Sequence, residues 1–384
     1  MPALVETASE LDVVIAAVSD ADRYAIDTEF HRERTYFPQV ALIQVGWDDE
    51  VALIDPLPLD LKPFASVLDG PGLCILHAGV QDLEVLDLAT GTIPKRIFDT
   101  QIAAGFLGLA NGSLKSLLDR YLNVSLPKSD RLTDWLQRPL TDEQLRYAAS
   151  DVDHLLELTD ELQSQLVAED RLEWAFEESA LVRDKPRNRR LPEEAVLRIK
   201  EARSLKGTTF GVAVAVAAWR ERRAAEADVP IRQVLPDLGV VAIAQRAPQS
   251  IDELGSLRGV ERRHLRNGAD KEILTAVQAG QRTTTAHVRP QRAPELPRHL
   301  RPVVTLVTAW ISQLARDHRL DPALLATRAD VESLLKDDPN CRLRHGWRSD
   351  LVGGPIAQLV AGEAAVAFDG DGQLVLEARS RRPL

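Results

Sequence analysis

Three short segments carry acids in a pattern suited to phosphoryl chemistry: AIDTEF at residues 25–30, HAGVQD at 77–82 and YAASD at 147–151. Asp27 and Glu29 stand two apart in an apolar-bordered run, and side chains two apart on a strand share a face. Tyr147 and Asp151 stand four apart in a stretch, 140–162, whose apolar residues recur at helical spacing, so they share a helix face. Thr141 ahead of Asp142 and Glu143 is the start signal of that helix. Asp82 falls in the first turn of a helix expected over 80–88, just after a buried strand at 73–76, and a strand's carboxyl end is a common place for a site residue. Four carboxylates turned on one pocket raise one another's pKa unless a cation neutralises them. An all-oxygen ligand set favours Mg²⁺ or Mn²⁺ over zinc. Two such ions about 3.5–4 Å apart stabilise both the attacking and the leaving oxygen of an in-line displacement at phosphorus. A nearby tyrosine hydroxyl can orient the attacking water.

Each residue also has a plainer use. An Asp-x-Glu pair can be a solvated strand edge, Asp82 an acid favoured by a helix N-terminus, and Tyr147 a half-buried aromatic. Against the first, Asp27 and Glu29 lie between Ile26 and Phe30, where an uncompensated charge is costly. His77, ending a buried strand, reads as hydrogen-bonded structure before it reads as a ligand, and His154 as an exposed ring. Lys128, Arg131 and Arg138 flank a loop of low periodicity at 123–135 and are candidate phosphate contacts.

Taken together the segments resemble the three exonuclease motifs of the DEDDy family. FPQVALIQVG (37–46), LIDP (53–56), HAGVQDLEVL (77–86), FDTQ (98–101) and TDWLQRPLTDEQLRYAASDV (133–152) narrow the resemblance to ribonuclease D over residues 1–182. It implies that Asp27, Glu29, Asp82 and Asp151 coordinate metal and that Tyr147 positions the nucleophilic water. It also implies an α/β domain of the ribonuclease H-like class, a mixed sheet flanked by helices. In that sheet, strands 24–29, 41–46 and 51–55 would form a meander continued by 73–77.

Net charge is −11, and it is distributed unevenly. Residues 1–182 hold 13 basic and 33 acidic side chains, 183–289 hold 21 and 13, and 290–384 hold 13 and 12. The basic middle is where nucleic acid is expected to be held. Residues 183–206 are read as a basic linker, opening with RDKPRNRR, and a helix whose pattern runs over 193–204. Helical patterns follow at 211–227, 240–246, 250–257 and 271–280. The stretches AAWRERRAAEADVPIRQVLPD and AIAQRAPQSIDELGSLRGVERR resemble the helicase and ribonuclease D C-terminal domain (HRDC), placed here at 207–283. Within it Arg262, Arg263 and Arg266 form a candidate phosphate patch. A proline-rich linker, 284–302, leads to a second HRDC-like region, 303–384, whose tail reads as a hairpin around an Asp-Gly turn. All-α HRDC domains are thus expected to follow the α/β domain.

Two cysteines without CxxC spacing support neither a disulfide framework nor a structural zinc, and a reducing cytoplasm is the expected compartment. No Walker-type loop occurs, which disfavours an ATP-driven helicase. The resemblance implies a metal-dependent 3′–5′ exoribonuclease with two divalent ions, Mg²⁺ or Mn²⁺, releasing nucleoside 5′-monophosphates. Its expected partners are RNA 3′ ends, transfer-RNA precursors among them, with single-stranded DNA as an alternative, no membrane, and a monomeric chain. A DNA exonuclease and a nucleic-acid-binding scaffold with a vestigial site are the competing readings.

Overall fold

The computed structural model describes residues 3–126, 133–187, 191–282, 288 and 295–380. They form two compact units: residues 1–29, 40–185 and 294–384, and residues 30–39 with 186–293.

The first unit is built on six strands, β1 (Ala3–Val5), β2 (Arg23–His31), β3 (Gln39–Trp47), β4 (Glu50–Ile54), β5 (Leu73–Leu76) and β6 (Ile97–Asp99), in the order β1-β4-β3-β2-β5-β6. β5 runs parallel to β2 and to β6, whereas β3 and β4 are antiparallel. The expected meander therefore stops at β4. β5 crosses to the far side of β2 because a parallel partner needs a crossover connection, supplied by the short helical turns Lys62–Phe64 and Ala65–Leu68. The three-residue β1 and β6 are too short to show an alternation in the sequence.

β2 is central and buried on both faces. Tyr24 and Ile26 pack on one side with Leu83 and Leu86 of the helix Val80–Thr90. Ala25 packs on the other with Val152 and Leu155. The single helix expected over 140–162 is two, Asp142–Ser150 and Leu155–Ala168, with Asp151 capping the first. The break follows from what each half buries. Ala148 packs with Leu42 and Leu53, but Leu155, Leu158, Leu162 and Leu166 join a different cluster, so the axis turns between them. Thr141 caps the first helix in a reciprocal box with Gln144, as its position predicts.

Residues 294–384 belong to the same compact unit as the strands, although the sequence sets them apart behind a linker. The helix Arg301–Asp317, the shorter helices Pro322–Leu325, Arg328–Leu335 and Gly354–Val360, and a hairpin of β7 (Ala364–Phe368) and β8 (Leu374–Ala378) extend one hydrophobic core. Trp347 stacks on Trp174 at 4.8 Å between centroids and 12° between planes, and meets Phe106 edge-on at 5.3 Å. Beside it the buried Arg348 guanidinium pairs with Glu178 and donates to the Leu324 carbonyl at 2.8 Å. Apolar spacing cannot report such pairing between residues far apart in the sequence, which is why the region reads as separate there.

The second unit centres on two long helices, Gly207–Ala227 and Ala269–Arg282. They touch at Gly280, where a Cβ would lie 2.6 Å from the Gly211 carbonyl oxygen. The helix expected near 193–204 is instead a pair of 3₁₀ turns, Pro192–Arg198 and Lys200–Ser204. Residues 30–39 join this unit: Asp228 accepts from the amides of Tyr36 and Phe37 at 3.1 and 3.0 Å, and the Tyr36 hydroxyl donates to Glu221 at 2.8 Å.

Candidate metal centre

β2 outruns its neighbour. β5 pairs with it only as far as Ala25↔Ile75, and the chain leaves the sheet after Leu76. Beyond that point Asp27 and Glu29 project from one face of β2, and the backbone N–H of Thr28 has no β5 partner. Asp82 takes that place: its Oδ1 accepts from the Thr28 N–H at 3.1 Å and from the Thr28 hydroxyl at 2.5 Å. The middle residue of the Asp-Thr-Glu triplet thus ties the second acidic motif to the first.

Asp82 is held at that height by its own turn. Ala78 sits at φ 57°, and Gly79, which precedes the helix, has no room for a side chain, since a Cβ would lie 2.7 Å from Leu76. The buried carboxylate of Asp99 accepts from the N–H groups of Ala78 and Gly79 at 3.1 and 3.0 Å, and from Gln101 at 2.9 Å. Asp99 therefore straps two helix starts together.

From the opposite side the C-cap of helix Asp142–Ser150 delivers Asp151. One oxygen each of Asp27, Glu29 and Asp151 lie within 4.8 Å of one another, and among the described residues no other His, Cys, Asp and Glu group converges in this way. Tyr147 hydrogen-bonds the Asp151 carboxylate, and its ring rests 6.0 Å from that of Trp135.

Electrostatics make this arrangement costly without a cation. Burial, then the charges of Asp82, Asp151 and Glu29, push the Asp27 carboxyl well above its usual range. Burial, Asp151 and Asp82 raise Glu29 to about 8, and burial raises Asp151 to about 7 against the Tyr147 hydrogen bond. Burial also raises Asp82, opposed by the bonds from Thr28. Acids raised on folding bind more protons in the native state than in the unfolded one. Their stabilising protonation is complete below about pH 4 and is lost as pH climbs through the folded values. With chelator, the melting temperature should therefore fall between pH 5 and 8, and millimolar Mg²⁺ or Mn²⁺ should restore it at pH 8. A flat chelated profile would show that the acids do not crowd one another.

The residues fit divalent cations by chemistry: oxygen donors only, excess negative charge, and one acid already oriented by a second hydrogen-bonding partner.

Residues 2–167 match the 3′–5′ exonuclease family, and residues 210–277 match the HRDC domain. A ribonuclease D of Gluconacetobacter diazotrophicus is 33% identical over 375 residues, covering 96% of this chain and 95% of its own. The chain belongs to the ribonuclease D family. The crystal structure of Escherichia coli RNase D, an exoribonuclease involved in structured RNA processing, superposes with a TM-score of 0.80 at 32% identity, over 94% of this chain and 99% of that one. The catalytic core of RRP6 from Trypanosoma brucei is similar at 25% identity and a TM-score of 0.59, over 73% and 79% of the two chains. As a ribonuclease D, the protein is a 3′–5′ exoribonuclease of a class that works with divalent metal ions, and its α/β exonuclease domain followed by a helical HRDC domain is the family's architecture.

The other sequence candidates in this ribonuclease D have varied placements. Arg138 is engaged inside the protein: it forms an ion pair with the buried Asp55 and donates to the carbonyls of Trp135 and Ala41, both at 2.8 Å. It ties the 133–141 loop to the sheet, an employment different from phosphate contact. Lys128 and Arg131 lie outside the described residues. Arg262, Arg263 and Arg266 are exposed on and beside the turn Arg262–Leu265, with Arg263 paired to Glu261. His77 bonds the Thr100 hydroxyl at 2.9 Å, and His154 lies between Asp153 and Glu157, so neither joins the acids. Cys74 and Cys341 are free and buried. No helix among the described residues is long and apolar enough to cross a membrane.

Proposed function

We propose that Asp27, Glu29, Asp82 and Asp151 hold two divalent cations, Mg²⁺ or Mn²⁺, and that Tyr147 orients the water that attacks the last phosphodiester of an RNA. The observation that carries this reading is the convergence of Asp27, Glu29 and Asp151 oxygens within 4.8 Å at the open end of β2. When bound, the cations supply charge neutralisation for the acids and for the phosphate, and lower the pKa of a bound water. The chain supplies the geometry. Thr28 fixes which oxygen of Asp82 is left to bind, the C-cap turn aims Asp151, and the Tyr147 hydroxyl is placed against that carboxylate, where it can hold a water in line. The water oxygen bonds to phosphorus, the 3′ oxygen of the penultimate nucleotide leaves with a proton, and a nucleoside 5′-monophosphate is released.

The natural substrate we infer is a structured RNA with a short 3′ extension, a transfer-RNA precursor being the leading case, in a monomeric cytoplasmic enzyme. Likeness over nearly the whole chain to the Escherichia coli relative, itself an exoribonuclease involved in structured RNA processing, supports this. Exposed Arg262, Arg263 and Arg266 are suited to the phosphates of such an RNA, and their joint replacement by alanine should reduce the salt dependence of binding. An unchanged slope would remove them from the interface. We read residues 303–384 as a second HRDC-like module.

Incubation of 5′-labelled RNA, and separately DNA, with metal or chelator tests the whole reading. A metal-dependent ladder shortening from the 3′ end of RNA is expected, and a preference for DNA would overturn the substrate. In the same assay Tyr147→Phe should slow turnover by about 10²-fold, the scale of one positioned group, while leaving metal affinity unchanged. An equal loss of both would make Tyr147 a ligand or a folding residue.

A further inference from the structure

Gln44 is completely buried in β3, and among the described residues neither its amide oxygen nor its amide nitrogen has a hydrogen-bond partner. Leaving a buried amide unsatisfied costs about 1–3 kcal/mol. Its strand neighbours Leu42, Ile43 and Val45 are apolar and fully buried. Leucine or methionine would serve packing alone better than glutamine at this position.

The ladder fixes which way Gln44 faces. It lies opposite Leu53 in the β3–β4 pairing, and residues opposite one another share a face. Leu53 packs with Leu42 and with Ala148, the residue after Tyr147. Two residues further along the same face, a Cβ on Gly46 would lie 3.2 Å from the Val152 carbonyl oxygen. Gln44 therefore lies beneath residues 148–152, the segment that turns at Asp151. β2 is the next strand of the sheet, and Ala25, whose face Asp27 and Glu29 share, packs with the same Val152. The orphaned amide thus belongs to the acid-bearing face, one strand from Asp27 and Glu29 and below the turn that carries Asp151.

We propose that Gln44 is a positioning residue of the metal centre, whose amide hydrogen-bonds the water shell of the loaded site and through it steadies Asp27 and Asp151. A neutral donor suits this place. It can orient carboxylates and water without adding a positive charge that would displace a cation, as lysine or arginine would. Gln44 touches neither substrate nor the reacting phosphate.

The inference rests on the assignment of the acids as a metal site, and the test separates the two. Gln44→Met keeps length and volume but removes the amide. Leu42→Met, on the same face, controls for repacking, and Asp27→Asn tests the site itself. Apo melting temperature is measured in chelator, Mn²⁺ affinity by calorimetry, and turnover on labelled RNA. Gln44→Met should melt no lower than wild type without metal, bind Mn²⁺ about tenfold or more weakly, and lose turnover by a similar factor, the scale for a group that orients metal ligands. Leu42→Met should leave Mn²⁺ affinity unchanged. If Gln44→Met binds Mn²⁺ normally while Asp27→Asn does not, the metal site stands and the role of Gln44 is refuted. If both bind normally, the site assignment itself fails. If Gln44→Met and Gln44→Leu both melt well below Leu42→Met in chelator, the amide is structural and the proposal is wrong.

Discussion

Asp27→Asn should bind RNA and leave it uncut. Asp27 is the acid whose carboxyl is raised by all three of its companions, Asp82, Asp151 and Glu29, so it stands where the negative potential is densest and a cation gains most. The amide keeps the shape of the side chain and of β2, but removes one charge and one anionic oxygen. Turnover should fall by roughly a hundredfold to a thousandfold, the scale of deleting one preorganised charge-stabilising group. RNA affinity should change by less than about threefold, because nothing in the substitution touches a phosphate grip. Relief of repulsion has a further sign: the metal-free variant should melt higher than wild type at pH 8, since fewer buried carboxylates then compete to ionise. Turnover near wild type would overturn the assignment. Loss of RNA binding alongside activity would place Asp27 on the substrate.

Trp347→Ala should unfold the exonuclease unit from a position well outside its motifs. Trp347 is 6% exposed, stacked on Trp174 and set against Phe106, with the Arg348 guanidinium 4.3 Å above its ring. Truncating a buried tryptophan costs about 3–5 kcal/mol, and here the resulting cavity opens beside the buried Arg348–Glu178 pair, whose charges depend on exclusion of water and on each other. Because the cluster is continuous with Ala25, Phe98 and Val152 beneath the acids, chemical denaturation should show one early transition carrying exonuclease activity with it. A loss below about 1 kcal/mol, or activity surviving that transition, would mean that the C-terminal segment is an independent body.

The five catalytic candidates are legible because their identities are chemical and their spacings short: two on a strand, two on a helix, one at a helix start. What supports them is not, for physical reasons. Thr28 carries no signal in the sequence, yet its hydroxyl reaches Asp82 because β2 overhangs β5. Asp99 is one more acid in an acid-rich segment, and only the turn at Ala78 and Gly79 shows what it accepts from. Gln44 looks like a polar break in an apolar strand until its burial is seen. Arg138 looks like a loop cation free to meet phosphate, whereas Asp55, 83 residues earlier in the chain, already engages it. The stretch 140–162 reads as one helix because period alone cannot show that its two halves face different clusters. Strand order is misread at β5 because a crossover and a meander have the same apolar runs.

The first unit is completed by residues that follow the second unit in sequence, with roughly a hundred residues of that unit made in between. Trp347 follows Trp174 by 173 residues, so at about 5–20 residues per second on a ribosome the emerging protein spends about 9–35 s with Phe106 and Trp174 lacking the tryptophan that will cover them. The nascent chain therefore carries a sticky aromatic face throughout the synthesis of the second unit, and a segment made after that unit is the one that seals it.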